Sequence, residues 1–266
     1  MESDTVAQSP GKYSKRARRQ QEILQILAEE PTMRVKALAG RLDVTTETIR
    51  RDLEDLAEQG LISRTYGGAM LRTEAEPVLS HRERELVKER EGIARRAFRE
   101  CAAGKTFMIG SGATTAILAK RLAFELRNVT VIAHSFAVAT ALAQNPTIRI
   151  VLAPGVYHAG EGAMHGAQTI RFLQDYTADW AILGASALSP DGPSDALIEA
   201  GDVYATMLRQ ASHNMIVADH TKFDRMATAR YAQWSEIEVL VSDRRPEGPL
   251  MRALERSEVR FIQAEG

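Results

Sequence analysis

At the N-terminal end of the chain, apolar positions recur with a helical period. Ile23, Leu24, Ile26 and Leu27 share one face of a helix predicted over Arg16–Ala28, and Pro31 marks its stop. A second helix is predicted from Val35 to Leu42, with Val35, Leu38, Ala39 and Leu42 inward. After the tight Asp43-Val44 connection, Thr45 suits an N-cap and Glu47 suits the positive end of a helix dipole. The third helix then runs to about Gln59, burying Ile49, Leu53 and Leu56, with Gly60 as its stop. Beyond it, LISRTYGGAML alternates like two short strands around a Gly67-Gly68 turn. Three short helices and a terminal hairpin describe a winged helix-turn-helix.

The pattern changes after Glu74–Pro77, which reads as a boundary. A charged helical segment spans residues 81–104, with Leu86, Ile93, Ala97 and Phe98 as a sparse apolar stripe. From Lys105 onward, Val- and Ile-rich runs alternate with amphipathic helices, as in TFMIG, VTVIAHS, IRIVLAPG, ADWAILGAS, HNMIVAD, EIEVLVSD and VRFI. Such runs predict a mostly parallel sheet covered on both faces, so the fold class is α/β. In such sheets ligands bind beyond the carboxyl ends of the strands, which directs attention to the residues that follow each one.

Composition narrows the function classes. The 266 residues are 44% apolar and 26% charged, an ordinary soluble balance, and no apolar run is long enough for a membrane span. The polar N-terminus lacks the apolar core of a secretory signal. The single cysteine, Cys101, permits no internal disulfide and no cysteine-built zinc site, which fits a reducing cytoplasm. The histidines show no metal-ligand spacing, so neither metal nor cofactor is expected. With a net charge of −1, affinity for nucleic acid has to come from a local patch.

That patch is at the N-terminus. Lys12, Lys15, Arg16, Arg18 and Arg19 form a basic run, and the outward face of the third helix carries Thr46, Thr48, Arg50 and Arg51 beside the capping Thr45. Hydroxyls and guanidiniums suit a helix in the major groove, where Arg pairs bidentately with guanine and holds phosphate. In the wing, Arg64, Tyr66 and Gly67 are placed to meet the DNA backbone or the minor groove. The competing reading is an interaction module whose arginines are merely solvated.

In the second half, Gly110-Ser111-Gly112-Ala113-Thr114-Thr115 follows the first strand and opens a helix. Small residues allow close backbone approach to an anion, helix N–H groups point at it, and the hydroxyls add donors. The loop is not a dinucleotide fingerprint, because the third glycine is missing. Nor is it a Walker A loop, because Gly104-Lys105-Thr106 precedes the strand. His134-Ser135 and Pro154-Gly155 end the next two strands, and Lys222 in Asp219–Phe223 supplies a cation for a phosphate.

These residues carry a resemblance. Thr48-Ile49-Arg50-Arg51-Asp52-Leu53, then Leu56, Gly60, Arg64 and Gly67-Gly68-Ala69, closely resemble the DNA-binding domain of the DeoR family of bacterial transcription regulators. The resemblance continues to the C-terminal end through Asp219 to Phe223, with departures. Gly110 stands where the family has Asp, Ala113 where it has Thr, His134 where it has Asn, and Pro154 where it has Gly. It implies an effector domain with the sugar-phosphate isomerase fold and an effector of phosphorylated sugar or polyol type, bound by Gly110–Thr115, His134, Ser135, Gly155 and Lys222.

The expected layout is a disordered basic arm over 1–15, a winged helix-turn-helix over 16–73, a linker and connecting helix over 74–104, and an effector-binding and oligomerisation domain over 105–266. The expected function is a repressor of a carbohydrate or polyol catabolic operon. Its expected partners are a double-stranded DNA operator, the effector, and further copies in a homodimer or homotetramer, with no membrane. Two alternatives stand beside it. One is an isomerase-like enzyme domain using Asp219 or Glu199 as base; the other is a C-terminal domain that only oligomerises.

Overall fold

A computed structural model describes residues 15–30, 32–58, 62–65, 67–71 and 77–264. The chain divides into two compact units, Met1–Pro77 and Val78–Gly266.

The first unit comprises α1 (Lys15–Glu29), β1 (Thr32–Arg34), α2 (Val35–Arg41), α3 (Thr46–Glu58), β2 (Ile62–Thr65) and β3 (Gly68–Leu71). Ile23 and Leu27 of α1, Leu38 of α2 and Ile49, Leu53 and Leu56 of α3 close into one buried core. Thr45 caps α3 through its hydroxyl, which accepts from the Thr48 N–H at 3.2 Å. Asp43, at a φ of +50°, makes the sharp entry to that turn. The sheet has three strands in the order β1-β3-β2; the short β1 has no periodic signal in the sequence. Gly68 pairs with Thr65, so it stands in β3 and not in the turn with Gly67. Residues 1–14 of the expected arm, Gly60 and Tyr66 lie outside the described residues.

The second unit begins with α4 (Leu79–Arg82) and α5 (Val87–Cys101). Residues 78–104 are therefore not a linker. Ile93, Ala97 and Cys101 lie in the main core, because α5 packs its narrow apolar stripe inward while its charges, the buried Arg90 excepted, face outward. There follow β4 (Thr106–Ile109), α6 (Ala113–Glu125), β5 (Thr130–Ala133), α7 (Phe136–Leu142), β6 (Arg149–Leu152), β7 (Val156–His158), β8 (Ala163–His165) and α8 (Ala167–Gln174). The remainder is β9 (Ala178–Leu183), β10 (Ala187–Ser189), β11 (Gly192–Asp195), α9 (Ile198–Arg209), β12 (Ala211–Val217), β13 (Ala229–Arg230), β14 (Val239–Ser242), α10 (Gly248–Arg256) and β15 (Arg260–Gln263).

All seven predicted runs lie in one sheet ordered β15-β14-β12-β9-β4-β5-β6, and every pairing in it is parallel. Alternation sends Phe107 and Ile109 into the core that holds Leu118, Leu122 and Leu142 of α6 and α7. Met108 enters the opposite core, with Leu173, Met207 and Leu254 of α8, α9 and α10. The sheet is thus sandwiched between two helix layers. From β4 the chain winds outward to β6 and then returns to β9 on the other side. The order reverses between β4 and β9, and in open α/β sheets the ligand crevice lies at such a reversal, outside the carboxyl ends of the strands. The β7–β8 hairpin and the small β10-β11-β13 sheet stand outside the main sheet.

Candidate functional site

In the first unit, α3 presents its polar face outward. Thr46, Glu47, Arg50 and Arg51 are exposed while Ile49, Asp52 and Leu53 are buried. Arg50 and Arg51 lie 3.7 and 3.5 Å from Glu47, in exposed pairs that contribute little and are readily exchanged for phosphate. The Thr48 hydroxyl sits 2.8 Å from that of Thr45, so it supports the cap. Arg16 and Arg19 do not belong to a free arm. Arg19 grips the buried Asp52 with two hydrogen bonds, and Arg16 pairs with Asp55. These contacts clasp α1 to α3 and fix the direction of its outward face. Arg64 lies on β2, and the Gly67 carbonyl accepts from the Val35 N–H at 3.0 Å.

In the second unit, the loop after β4 sits at the crevice. The Gly110 N–H donates to the Ile182 carbonyl at 3.0 Å, tying the loop to β9. A Cβ at Gly110 would lie 2.9 Å from a ring carbon of Tyr204 and 3.0 Å from Leu183. The Tyr204 ring therefore occupies the space that a side chain at 110 would need. Its hydroxyl donates to the Ser111 carbonyl and accepts from the Ser111 hydroxyl, both at 2.9 Å. Burial and then the nearby Asp195 push the Tyr204 phenol well above its ordinary pKa, so it stays neutral. The Thr115 hydroxyl is also spent inside, donating to the Gly112 carbonyl at 3.0 Å.

What the loop leaves open is the first turn of α6. The N–H groups of Ala113, Thr114 and Thr115 meet no acceptor among the described residues, and neither does the Thr114 hydroxyl. They stand at the positive end of a 13-residue helix.

His134 is fully buried and both ring nitrogens are occupied. Nε2 accepts from the Ser111 N–H at 3.1 Å and Nδ1 donates to the Met164 carbonyl at 2.8 Å. Burial and the neighbouring His165 hold its pKa down at about 3, so the ring is a neutral brace between the loop after β4 and β8. Ser135 caps α7, accepting from the Val138 N–H at 3.5 Å. Gly155 packs so closely that a Cβ would lie 2.1 Å from the Thr169 hydroxyl. These three candidates thus shape the loop platform, while Thr114 and the first-turn amides of α6 keep donors without an acceptor among the described residues.

Lys222 follows β12, the strand beside β9. Its neighbour Asp219 is buried against Arg90 of α5, which donates to Oδ2 at 3.1 and 2.9 Å, while Oδ1 accepts from the Thr221 N–H at 3.1 Å and from its hydroxyl. Burial opposes ionisation, but the Thr221 bond, Arg90 and Lys222 together hold the Asp219 carboxyl below its ordinary value. Arg90 also binds the Glu85 carbonyl at 2.8 Å, so one guanidinium anchors the start of the unit to the 219–222 turn.

The DeoR-like helix-turn-helix domain matches residues 19–75, and the DeoR C terminal sensor domain matches residues 85–244. The chain belongs to the DeoR family of transcriptional regulators. It is similar to the HTH-type transcriptional repressor CsqR of Escherichia coli, at 30% identity over 92% of this chain and 94% of that protein. The glycerol-3-phosphate regulon repressor of Escherichia coli is likewise 30% identical, over 90% of this chain and 96% of its own. Among solved structures, ribose 5-phosphate isomerase A from Methanocaldococcus jannaschii is similar at 20% identity and a TM-score of 0.35, covering 50% of this chain and 53% of its own.

For this DeoR-family chain, sequence reasoning missed four residues that build the sensor unit's platform. Tyr204 and Tyr231 sit among apolar neighbours and read as ordinary core; the Tyr231 hydroxyl donates to the Gly184 carbonyl at 2.5 Å, beside the crevice. His165 lies on β8, which has no periodic signal, and Arg90 is hidden in a charged run. The substituted first-loop position is the one clue the sequence offers, since a missing side chain at Gly110 asks what fills its place.

Proposed function

We propose that this chain is a DNA-binding repressor of a carbohydrate or polyol catabolic operon, acting in the cytoplasm as a homo-oligomer and released by a phosphorylated effector. In this reading the Met1–Pro77 unit reads a half-site through Thr46, Arg50 and Arg51, with Thr45 and Thr48 holding the helix start and Arg64, Tyr66 and Gly67 in the wing. The Val78–Gly266 unit binds the effector's phosphate at the α6 amides and Thr114, with Lys222 as counter-charge and the other loop residues as its cradle. The observation that carries the effector half is the set of unspent donors on α6 at the reversal of strand order.

A regulator and not an enzyme is the better reading. An isomerase needs a carboxylate free to move a proton beside its substrate. Position 110 offers glycine, and both Asp219 oxygens are engaged by Arg90 and Thr221. Glu199 is an exposed residue on the first turn of α9.

The DNA half is tested by selecting bound duplexes from a random pool and titrating the winner against salt. Arg50→Ala/Arg51→Ala is expected to lose specific binding and to lower the salt slope by about 0.9 per phosphate contact removed. Unchanged affinity and slope would exclude α3 as the reading element.

A further inference from the structure

The second unit carries an exposed aromatic knob flanked by grooves. Phe124, near the end of α6, is 73% exposed although α6 is otherwise a core helix. It rims two adjoining cavities, one of about 570 Å³ between α5 and α6 and one of about 770 Å³ between α6 and α7. The second is walled by Phe136, Ala137, Thr140 and Ala141, and Phe136 meets Tyr157 edge-on at 5.4 Å, carrying the apolar surface on to β7.

Charge tells what fits there. Glu83, Glu91, Arg95 and Lys120 line these grooves, and none forms an ion pair with any described residue. Arg121, the remaining charged lining residue, is paired with Glu125, so two acids and two bases make no net field and the face has nothing to offer a polyanion or an acidic membrane. A balanced set around a knob and its own matching groove is self-complementary. In a two-fold contact, residue i of one copy meets j of the other and j meets i, so one patch serves both sides.

We infer that the α5–α6–α7 face is where a second copy of this chain docks, with Phe124 of each copy seated in the α6–α7 groove of the other. The inference rests on the homo-oligomer in the proposed function and names its surface. Inverted half-sites match such a closed two-fold association, and α5, near the start of the second unit, forms one wall.

The test is independent of any ligand or operator: the mass of the full chain by light scattering across a dilution series, with circular dichroism to verify folding. The wild type is expected to be oligomeric and Phe124→Asp to raise the dissociation constant by roughly thirty-fold or more, as for a buried aromatic anchor. With Arg121 held by Glu125, Glu83→Lys/Glu91→Lys makes the other four charges of the face all basic and Arg95→Glu/Lys120→Glu makes them all acidic. Each is expected to self-associate weakly, and their mixture to regain the wild-type mass. Full association of the separate charge variants, or of Phe124→Asp, would overturn this face while leaving the homo-oligomer standing. Recovery absent from the mixture would exclude a two-fold contact between copies here. A monomeric wild type would overturn both.

Discussion

At Gly110 the shape of one side chain decides the chemistry of a loop. The Tyr204 ring lies 2.9 Å from where a Cβ would stand, and its hydroxyl ties the Ser111 backbone and side chain together. Gly110→Ala is expected to cost about 1–3 kcal/mol of stability by overpacking, read from urea unfolding. An unchanged midpoint would show that the ring yields. His134 gives a pH-dependent counterpart. Its folded pKa of about 3 lies below the ordinary 6.5, so the unfolded chain takes up a proton that the folded one refuses. The stabilisation is full above pH 6.5 and is lost as the pH falls towards 3. His134→Asn, which removes the titrating ring, is expected to flatten the fall of the unfolding midpoint between pH 6.5 and 4.5; an unaltered slope would assign it elsewhere. Both residues were visible in the sequence as departures at loop positions, but their direction was not. Ser111 and Thr115 have the right hydroxyls for a phosphate, yet the fold turns both inward, and residue type alone carries no orientation.

At the scale of elements, legibility followed burial. The inner sheet strands stood out because strands covered on both faces must be apolar throughout, and the edge strands β6 and β15, more exposed, by their runs of Ile, Val, Leu and Phe. The β7–β8 hairpin and the β10-β11-β13 sheet have strands of 2–4 residues, too short for any period to register. Helix α5 read as a connector because its charges outnumber a stripe of Ile, Ala and Cys. In the first unit, α1 and α3 are joined by more than their apolar faces. Asp52, within the Thr-Ile-Arg-Arg-Asp-Leu run, is buried and held by Arg19. Arg19→Met removes both hydrogen bonds to that carboxylate, leaving Arg16 at 3.6 Å as its other cation, and is expected to cost about 1–3 kcal/mol, the range for a buried acceptor that loses its donor. Thermal unfolding of the full chain checks it, and a loss below about 1 kcal/mol, the range of a surface pair, would mean that the clasp is not a buried one.

For the whole molecule, the proposed mechanism is linkage. An effector weakens DNA binding only by its preference for the non-binding arrangement, commonly about 5–150-fold, and DNA weakens effector binding by the same factor. The two units are built for separate tasks, a polar helix face on one and a set of unspent amide donors on the other. The claim that joins them is that the second unit recognises phosphate.

Thermal unfolding of the full chain, with phosphorylated sugars, polyol phosphates and sugar acids beside their dephosphorylated forms and inorganic phosphate, tests that claim most directly. A ligand at a hundred times its dissociation constant adds about 2.7 kcal/mol and, at about 2–4 °C per kcal/mol, raises the melting temperature by about 5–10 °C. The account predicts a rise that requires the phosphate and disappears in Thr114→Ala and Lys222→Ala. Equal stabilisation by the dephosphorylated compound, or a full shift retained in both variants, would contradict it.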